Sequence, residues 1–202
     1  MNEKFFDLKK EKQDRMINAG LRIFALNGYH HASTDDIVNE ARISKGLLFH
    51  YFGSKSGYYA FLYDYATRYA ILELTSVLKE SKGMDYFDVQ KTLLRIETGL
   101  MQQYPFLFLF LNSAGLEEDA EGLAVLATPE LSVSDYYANI QADADISRYL
   151  HVDSQENLTK ILHHTKLGVM RELFAAPNAQ AADYSTTMTQ YLTTLQRLAS
   201  AL

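Results

Sequence analysis

Apolar and polar positions alternate with a helical period along almost the whole chain. From about Lys10 to Asn27, Met16, Ala19, Ile23 and Phe24 fall on one face, and Gly28 ends the run. Two short segments follow. Ser33, with Asp36 three residues on, opens a helix from about Thr34 to Ala41. Arg42 and Ile43 make a turn, Ser44 caps a second helix from about Lys45 to Phe52, and Gly53 closes it. Ser54 opens a long helix to about Lys82, closed by Gly83, along which Tyr58, Phe61, Leu62, Tyr65, Tyr69 and Leu72 form an apolar series. Further helices are expected at about Tyr86 to Gln103, at Tyr104 to Ala114 behind Pro105, and at Ser132 to Leu150. Residues 115–129, acidic and broken by Gly115, Gly122 and Pro129, read as a loop or a short helix.

The last two helices carry the clearest stripes. In Asp153 to Ala175 the stripe is Leu158, Ile161, Leu162, Thr165, Val169 and Leu173. Asp153 and Glu156 mark its start, and Pro177 its end. In Ala181 to Leu202 it is Tyr184, Met188, Tyr191, Leu192, Leu195, Leu198 and Leu202. No strand pattern and no internal repeat appears. The expected fold is all-α with about nine helices: a three-helix domain at 1–55 and a larger helical domain at 56–202.

Two helices joined by so tight a turn make a helix-turn-helix, and the second is sized for a DNA major groove. Leu48 and Phe52 share one of its faces, with Tyr51 on the flank, and can pack on Ile37, Val38 and Ala41. Lys45, Gly46, Leu47 and His50 then project outward with Phe49 at the margin. An outward Leu or Phe gains a partner in a groove, where thymine methyls and sugar carbons are apolar, while Lys45 and His50 can reach base acceptors or phosphates. Lys55 lies in the first turn of the next helix, where free backbone N–H groups already favour a phosphate. A merely solvated subdomain leaves that apolar outer face unexplained. Lys9, Lys10, Lys12 and Arg15 read as a solvated face.

Residues 15–55 resemble the DNA-binding domain of the TetR family of one-component transcriptional regulators. The matching stretches are Ala19 to Gly28, Ser33 to Ile37, Ala41 to Gly46 and Phe49 to Lys55. The resemblance implies that Thr34, Tyr51 and Lys55 hold phosphates and that Lys45, Gly46, Leu47, Phe49 and His50 face the groove; Ser44, the cap of that helix, is counted with them as a DNA-binding residue. Two positions depart from the family pattern. Leu47 stands where Thr or Ser is frequent and Phe49 where Tyr is common, so each removes a hydroxyl. The resemblance also implies a cytoplasmic, ligand-responsive homodimer, with Leu158, Ile161, Leu162, Val169, Leu173, Met188, Tyr191, Leu192, Leu195 and Leu198 meeting their copies in a four-helix bundle. Two-fold symmetry would require a palindromic operator with recognition helices roughly 34 Å apart.

Charge fits once it is divided. The net charge is −6, but residues 1–55 carry nine Lys/Arg against seven Asp/Glu, whereas residues 56–202 carry ten against eighteen. The acidity belongs to the larger domain, and the electrostatic contribution to DNA binding is modest per subunit. There is no Cys, so neither a disulfide framework nor a thiolate metal site exists. The N-terminus has no apolar core of a signal peptide, and the longest apolar run, Tyr104 to Leu111, is too short to span a bilayer.

Tyr and Phe supply 25 residues. For a small-molecule effector the candidate lining is Tyr65, Tyr69, Leu100, Met101, Phe106, Phe110, Tyr137, His163 and Thr165, which would suit a flat or apolar ligand; each also fits an ordinary core. Glu117, Glu118, Asp119 and Glu121 read as a solvated loop rather than a cation site. The pairs His30–His31 and His163–His164 diverge by about 100° on a helix and do not share a metal easily. No catalytic motif, cofactor loop or metal-ligand spacing is present. Three readings follow: a ligand-responsive repressor, a helix-turn-helix protein governed by a protein partner, and an all-helical enzyme or carrier with an unused DNA-binding domain.

Overall fold

The computed structural model describes residues 3–126, 132–149, 154–176 and 179–200, and among them it is helical without a strand. After a 3₁₀ turn at Glu3–Phe5, ten α-helices follow, one more than expected. They are α1 Lys10–His31, α2 Thr34–Ala41, α3 Lys45–Phe52, α4 Lys55–Glu80, α5 Tyr86–Gln103, α6 Leu107–Ala114, α7 Ala120–Leu126, α8 Val133–Ala142, α9 Gln155–Phe174 and α10 Ala181–Ser200. The packing groups 1–69 with 103–131 in one unit and 70–102 with 132–202 in another.

In the first unit α1 packs on α2 and α6. Met16, Ile17, Ala19, Leu21 and Phe24 are buried, while Ile23, expected inward, is only half-buried. Gly20 allows α4 to come close: a Cβ there would overlap the Tyr58 hydroxyl and a Leu62 methyl. That hydroxyl donates to the Met16 carbonyl. Gly28 takes φ +68°, a conformation that suits glycine, so the helix breaks there and one further turn reaches His31. Phe24 lies 4.8 Å from the Tyr59 ring, and Tyr59 lies 5.5 Å from Phe110. Phe5 of the 3₁₀ turn, fully buried, sits 5.2 Å from Phe52 and 5.0 Å from Phe61. The Tyr104 hydroxyl, on the residue before Pro105, accepts from Lys10 Nζ at 3.0 Å and donates to Asp14 at 2.8 Å. Lys10 is therefore not simply solvated.

In the second unit α9 packs on α10 around Leu162, Met170, Phe174, Tyr184, Met188 and Leu192, all buried. α8 stops at Ala142 instead of continuing toward Leu150. The chain beyond it clamps the loop after α4: the Gly83 amide donates to Asp143 O (2.9 Å), the Asp145 amide to Met84 O (2.7 Å), and the Tyr86 amide to Asp145 O (2.9 Å). The Asp85 carboxylate then accepts from the Tyr149 hydroxyl and pairs with Arg148. A helix through 143–149 could not make these contacts.

Some expected element ends move. α6 begins at Leu107, two residues after Pro105, with Phe106 as its N-cap. α7 forms in the acidic stretch because the Asp119 carboxylate caps it, accepting from the amides of Glu121 and Gly122. Ser154 caps α9 through the Asn157 amide; Asp153, Pro177, Pro129, Leu150 and Leu202 lie outside the described residues. Leu72, counted in the apolar series of α4, is 69% exposed.

Candidate nucleic-acid interface

The Ser33 hydroxyl accepts from the amides of Asp35 (3.2 Å) and Asp36 (3.4 Å), which starts α2 where free N–H groups need a partner. Arg42 ends it in the left-handed conformation, φ 55°, and the Ile43 amide turns back to Val38 O at 3.0 Å. Arg15 of α1 donates to the carbonyl of Ala41 at 3.3 Å, supplying a partner at the frayed end. Ser44 then caps α3 through the Leu47 amide at 3.2 Å, and Gly53 closes it at φ +76°.

Within α3 only Leu48 is fully buried, and Ile37, Val38 and Ala41 of α2 are buried likewise. Ser44, Lys45, Gly46 and His50 are exposed; Leu47, Phe49, Tyr51 and Phe52 are half-buried, and so is Thr34 at the start of α2. Nothing stands within 4 Å of a Cβ built on Gly46, so that position offers an open surface. Lys45 is held by Asp35, Nζ to the two carboxylate oxygens at 2.9 and 3.1 Å. Lys55 is seated more firmly. Its ammonium donates to His30 O at 3.3 Å and lies 4.5 Å over the Tyr29 ring.

The end of α1 that supports Lys55 is itself held by the acidic stretch. The Tyr29 amide donates to Glu117 at 2.8 Å, and His30 Nδ1 lies 3.0 Å from Asp119. The Gly122 amide, and then the His30 ring, hold the Asp119 carboxyl below the usual carboxylate range. Two of these acidic side chains therefore serve as caps rather than as a solvated loop.

Sequence reasoning missed Asp35, Tyr29 and the Arg22–Glu40 pair at 2.7 Å, none of which belongs to a local motif, and read Arg15 as solvated although it reaches the Ala41 carbonyl. It also missed a buried cluster in the second unit. The Glu97 carboxylate accepts from Lys166 Nζ (2.7 Å) and the Tyr137 hydroxyl (2.8 Å) on Oε1, and from the Tyr184 hydroxyl (2.9 Å) on Oε2. Burial, and then the Glu97 charge, push both tyrosine hydroxyls well above their ordinary value, which keeps them as donors. A signal was available: Glu97 and Lys166 each interrupt an apolar stripe, between Leu93 and Leu100 and between Leu162 and Val169.

The other expected site residues divide between the units. Tyr65, Tyr69, Phe106 and Phe110 belong to the first; Leu100, Met101, Tyr137, His163 and Thr165 to the second. Leu100, Met101 and Phe110 are buried, and the half-buried Tyr65 and Tyr69 rings stack at 5.9 Å. Arg22 lies over the Phe106 ring at 5.9 Å. The Thr165 hydroxyl donates to Ile161 O. His163 lies exposed on α9, with its pKa held below the ordinary histidine value by partial desolvation, then by His164 and Lys166. Of the residues expected at a dimer interface, Leu158, Leu162, Val169, Met188 and Leu192 are buried, Leu173 and Leu195 half-buried, and Ile161, Tyr191 and Leu198 exposed.

This all-α architecture, with a capped recognition helix turned outward beside a supporting helix whose Ile37, Val38 and Ala41 are buried, defines a helix-turn-helix DNA-binding class. Residues 16–58 match the family model of bacterial regulatory proteins of the TetR family. Over 46 residues the chain is 44% identical to an uncharacterised helix-turn-helix-type transcriptional regulator, YuxN, of Bacillus subtilis strain 168; the match covers 23% of this chain and 16% of that protein. A TetR family transcriptional regulator from Chloroflexus aurantiacus J-10-FL superposes with a TM-score of 0.59 at 20% identity, over 98% of this chain and 95% of that one. The fatty acid degradation regulator FadR from Bacillus halodurans gives 0.58 at 15% identity, over 94% and 98%. Residues 16–58 thus carry a helix-turn-helix domain of the TetR type. The family and these relatives are regulatory proteins, not enzymes.

Proposed function

We propose that the protein is a transcriptional repressor that binds a palindromic operator as a homodimer and is released by a small-molecule effector in its C-terminal domain. The observation that supports this best is α3. Its one buried residue, Leu48, faces α2, while Lys45, Gly46 and His50 are exposed. One such helix reads few bases, so specificity calls for two copies. Thr34, Tyr51 and Lys55 would hold phosphates and fix the register; Lys45, Gly46, Leu47, Phe49 and His50 would read the groove. The Tyr29 ring under Lys55 would keep its ammonium aimed while it exchanges a carbonyl for a phosphate.

Release is linkage between two sites. The dimer exists in forms that differ in the separation of its two recognition helices, and operator DNA prefers one of them. An effector that prefers the other lowers DNA affinity by its differential binding energy, typically about 1–3 kcal/mol. α4 is the natural transmitter, because it starts at Lys55 and runs on to Glu80 in the second unit.

The test begins with DNA selected from random sequence by the purified protein, where an enriched palindrome is expected. On that DNA, Lys55→Ala should weaken binding to all sequences alike and lower the salt slope by about one. His50→Ala should lose about 1–3 kcal/mol on the selected sequence and much less on random DNA. Equal losses on both would remove His50 from base reading, and no enrichment at low salt would overturn the function.

A further inference from the structure

We propose that the second unit takes up an organic cation, an ammonium group on an apolar body, with Glu97 as its counter-ion in exchange for Lys166. The inference rests on reading this unit as the effector domain and names the ligand class.

Four helices each contribute one group to this cluster: Glu97 from α5, Tyr137 from α8, Lys166 from α9 and Tyr184 from α10. A buried ion pair is seldom the most stable filling for a core, because apolar residues of similar volume do as well without desolvating two charges. A pair of this kind in a core calls for a use beyond stability. The two charges differ in how easily they can leave. Glu97 is 2% exposed and is gripped on both oxygens by groups from three helices. Lys166 is 10% exposed at its side chain and ends a flexible four-carbon stem that can carry its ammonium to water.

The place that ammonium occupies has the two features that recognise a cation. It lies 2.7 Å from a carboxylate oxygen and 5.6 Å over the Tyr137 ring. A ligand ammonium entering as Lys166 leaves keeps the buried charge constant. An anionic ligand would have to expel Glu97, and a neutral one would leave the pair as it is, so the exchange favours a cation.

A second observation lies on the same face of α5. Gln90, two turns before Glu97 and about 10 Å away along the axis, is fully buried, and neither its amide nitrogen nor its oxygen has a hydrogen-bond partner. The Tyr86 hydroxyl is near enough to feel this amide, but no bond of ordinary geometry forms. Buried amides are almost always paired. Gln90 is therefore a second interior polar group that a ligand could engage, by a hydroxyl or carbonyl on the far side of its apolar body.

The test uses the full chain without DNA. Thermal melts are recorded with 2-phenylethylammonium chloride, with 2-phenylethanol and with sodium 3-phenylpropionate, at matched ionic strength. The ammonium should raise Tm by roughly 5 °C at saturation, and the alcohol and the carboxylate should not. Glu97→Gln, close in shape but neutral, should abolish the effect. Lys166→Ala removes the internal competitor, so its Tm should respond to 2-phenylethylammonium at lower concentration than wild type does; the absence of such a gain would overturn the exchange. Should that variant fail to fold, the three probes on wild type still decide. Stabilisation by the carboxylate alone, an ammonium effect undiminished in Glu97→Gln, or no ammonium effect at all would each overturn the proposal. None of these results touches DNA binding. An ammonium that binds but leaves operator DNA in place would keep the site and remove its regulatory role.

Discussion

On the proposed recognition surface Lys45 and Asp35 form an exposed ion pair. In the free protein the leading lysine of α3 is already taken by a carboxylate of α2, at 2.9 Å with both groups largely exposed. Such surface pairs contribute about 0.2–1 kcal/mol and are screened by salt. On the proposed interface DNA would break the pair to reach Lys45, and Asp35 would then remain as a negative charge beside phosphates. Asp35→Asn is therefore expected to tighten binding several-fold and to steepen the dependence on salt. Fluorescence anisotropy against salt concentration would measure both; weaker binding would mean that the aspartate helps orient the lysine on DNA.

Short helices depend on their supports. α3 has eight residues, too few to be stable alone in water. Leu48 on its inner face, Phe5 beneath Phe52, and the caps at Ser44 and Gly53 hold it. α1 is the platform for this assembly, and its approach to α4 depends on Gly20. An alanine in an ordinary helix interior stabilises by about 1 kcal/mol relative to glycine. At Gly20 the sign should reverse, because the added methyl would strike the Tyr58 hydroxyl that reaches the Met16 carbonyl. Gly20→Ala should cost about 1–3 kcal/mol, a Tm loss of roughly 2–4 °C per kcal/mol. A thermal melt that rises would show that α4 yields readily.

For the whole molecule the proposed homodimer raises the question of how two copies meet. α9 and α10 bury most of their apolar stripes inside the second unit and leave Ile161 at 52%, Tyr191 at 44% and Leu198 at 66% exposure. In the proposed homodimer these three would be covered by the partner copy. Replacing Ile161 and Leu198 together by glutamate should halve the mass found by light scattering, with little change in the helical signal. Operator affinity should collapse with it, since one recognition helix is left to read alone. A dimer that survives both changes would point to a different face.

The sequence by itself determined the local features. Caps at Ser33 and Ser44, the turn at Arg42 and Ile43, and the stop at Gly53 were legible because each arises within four or five residues. The all-α class followed from periodicity, and the inward Leu48 from the same spacing. Tertiary structure decided the rest. Periodicity marks an apolar side of a helix but not what covers it, so Leu72, Ile161, Tyr191 and Leu198 read as one set with their buried neighbours. Glu97 and Lys166 interrupt apolar stripes in the sequence, but only the packing of α5, α8, α9 and α10 brings a lysine and two hydroxyls to one carboxylate. The place of Lys55 in the first turn of α4 was legible, but not the Tyr29 ring that the end of α1 sets beneath it. Such contacts join residues tens of positions apart, and only the folded packing brings them within reach.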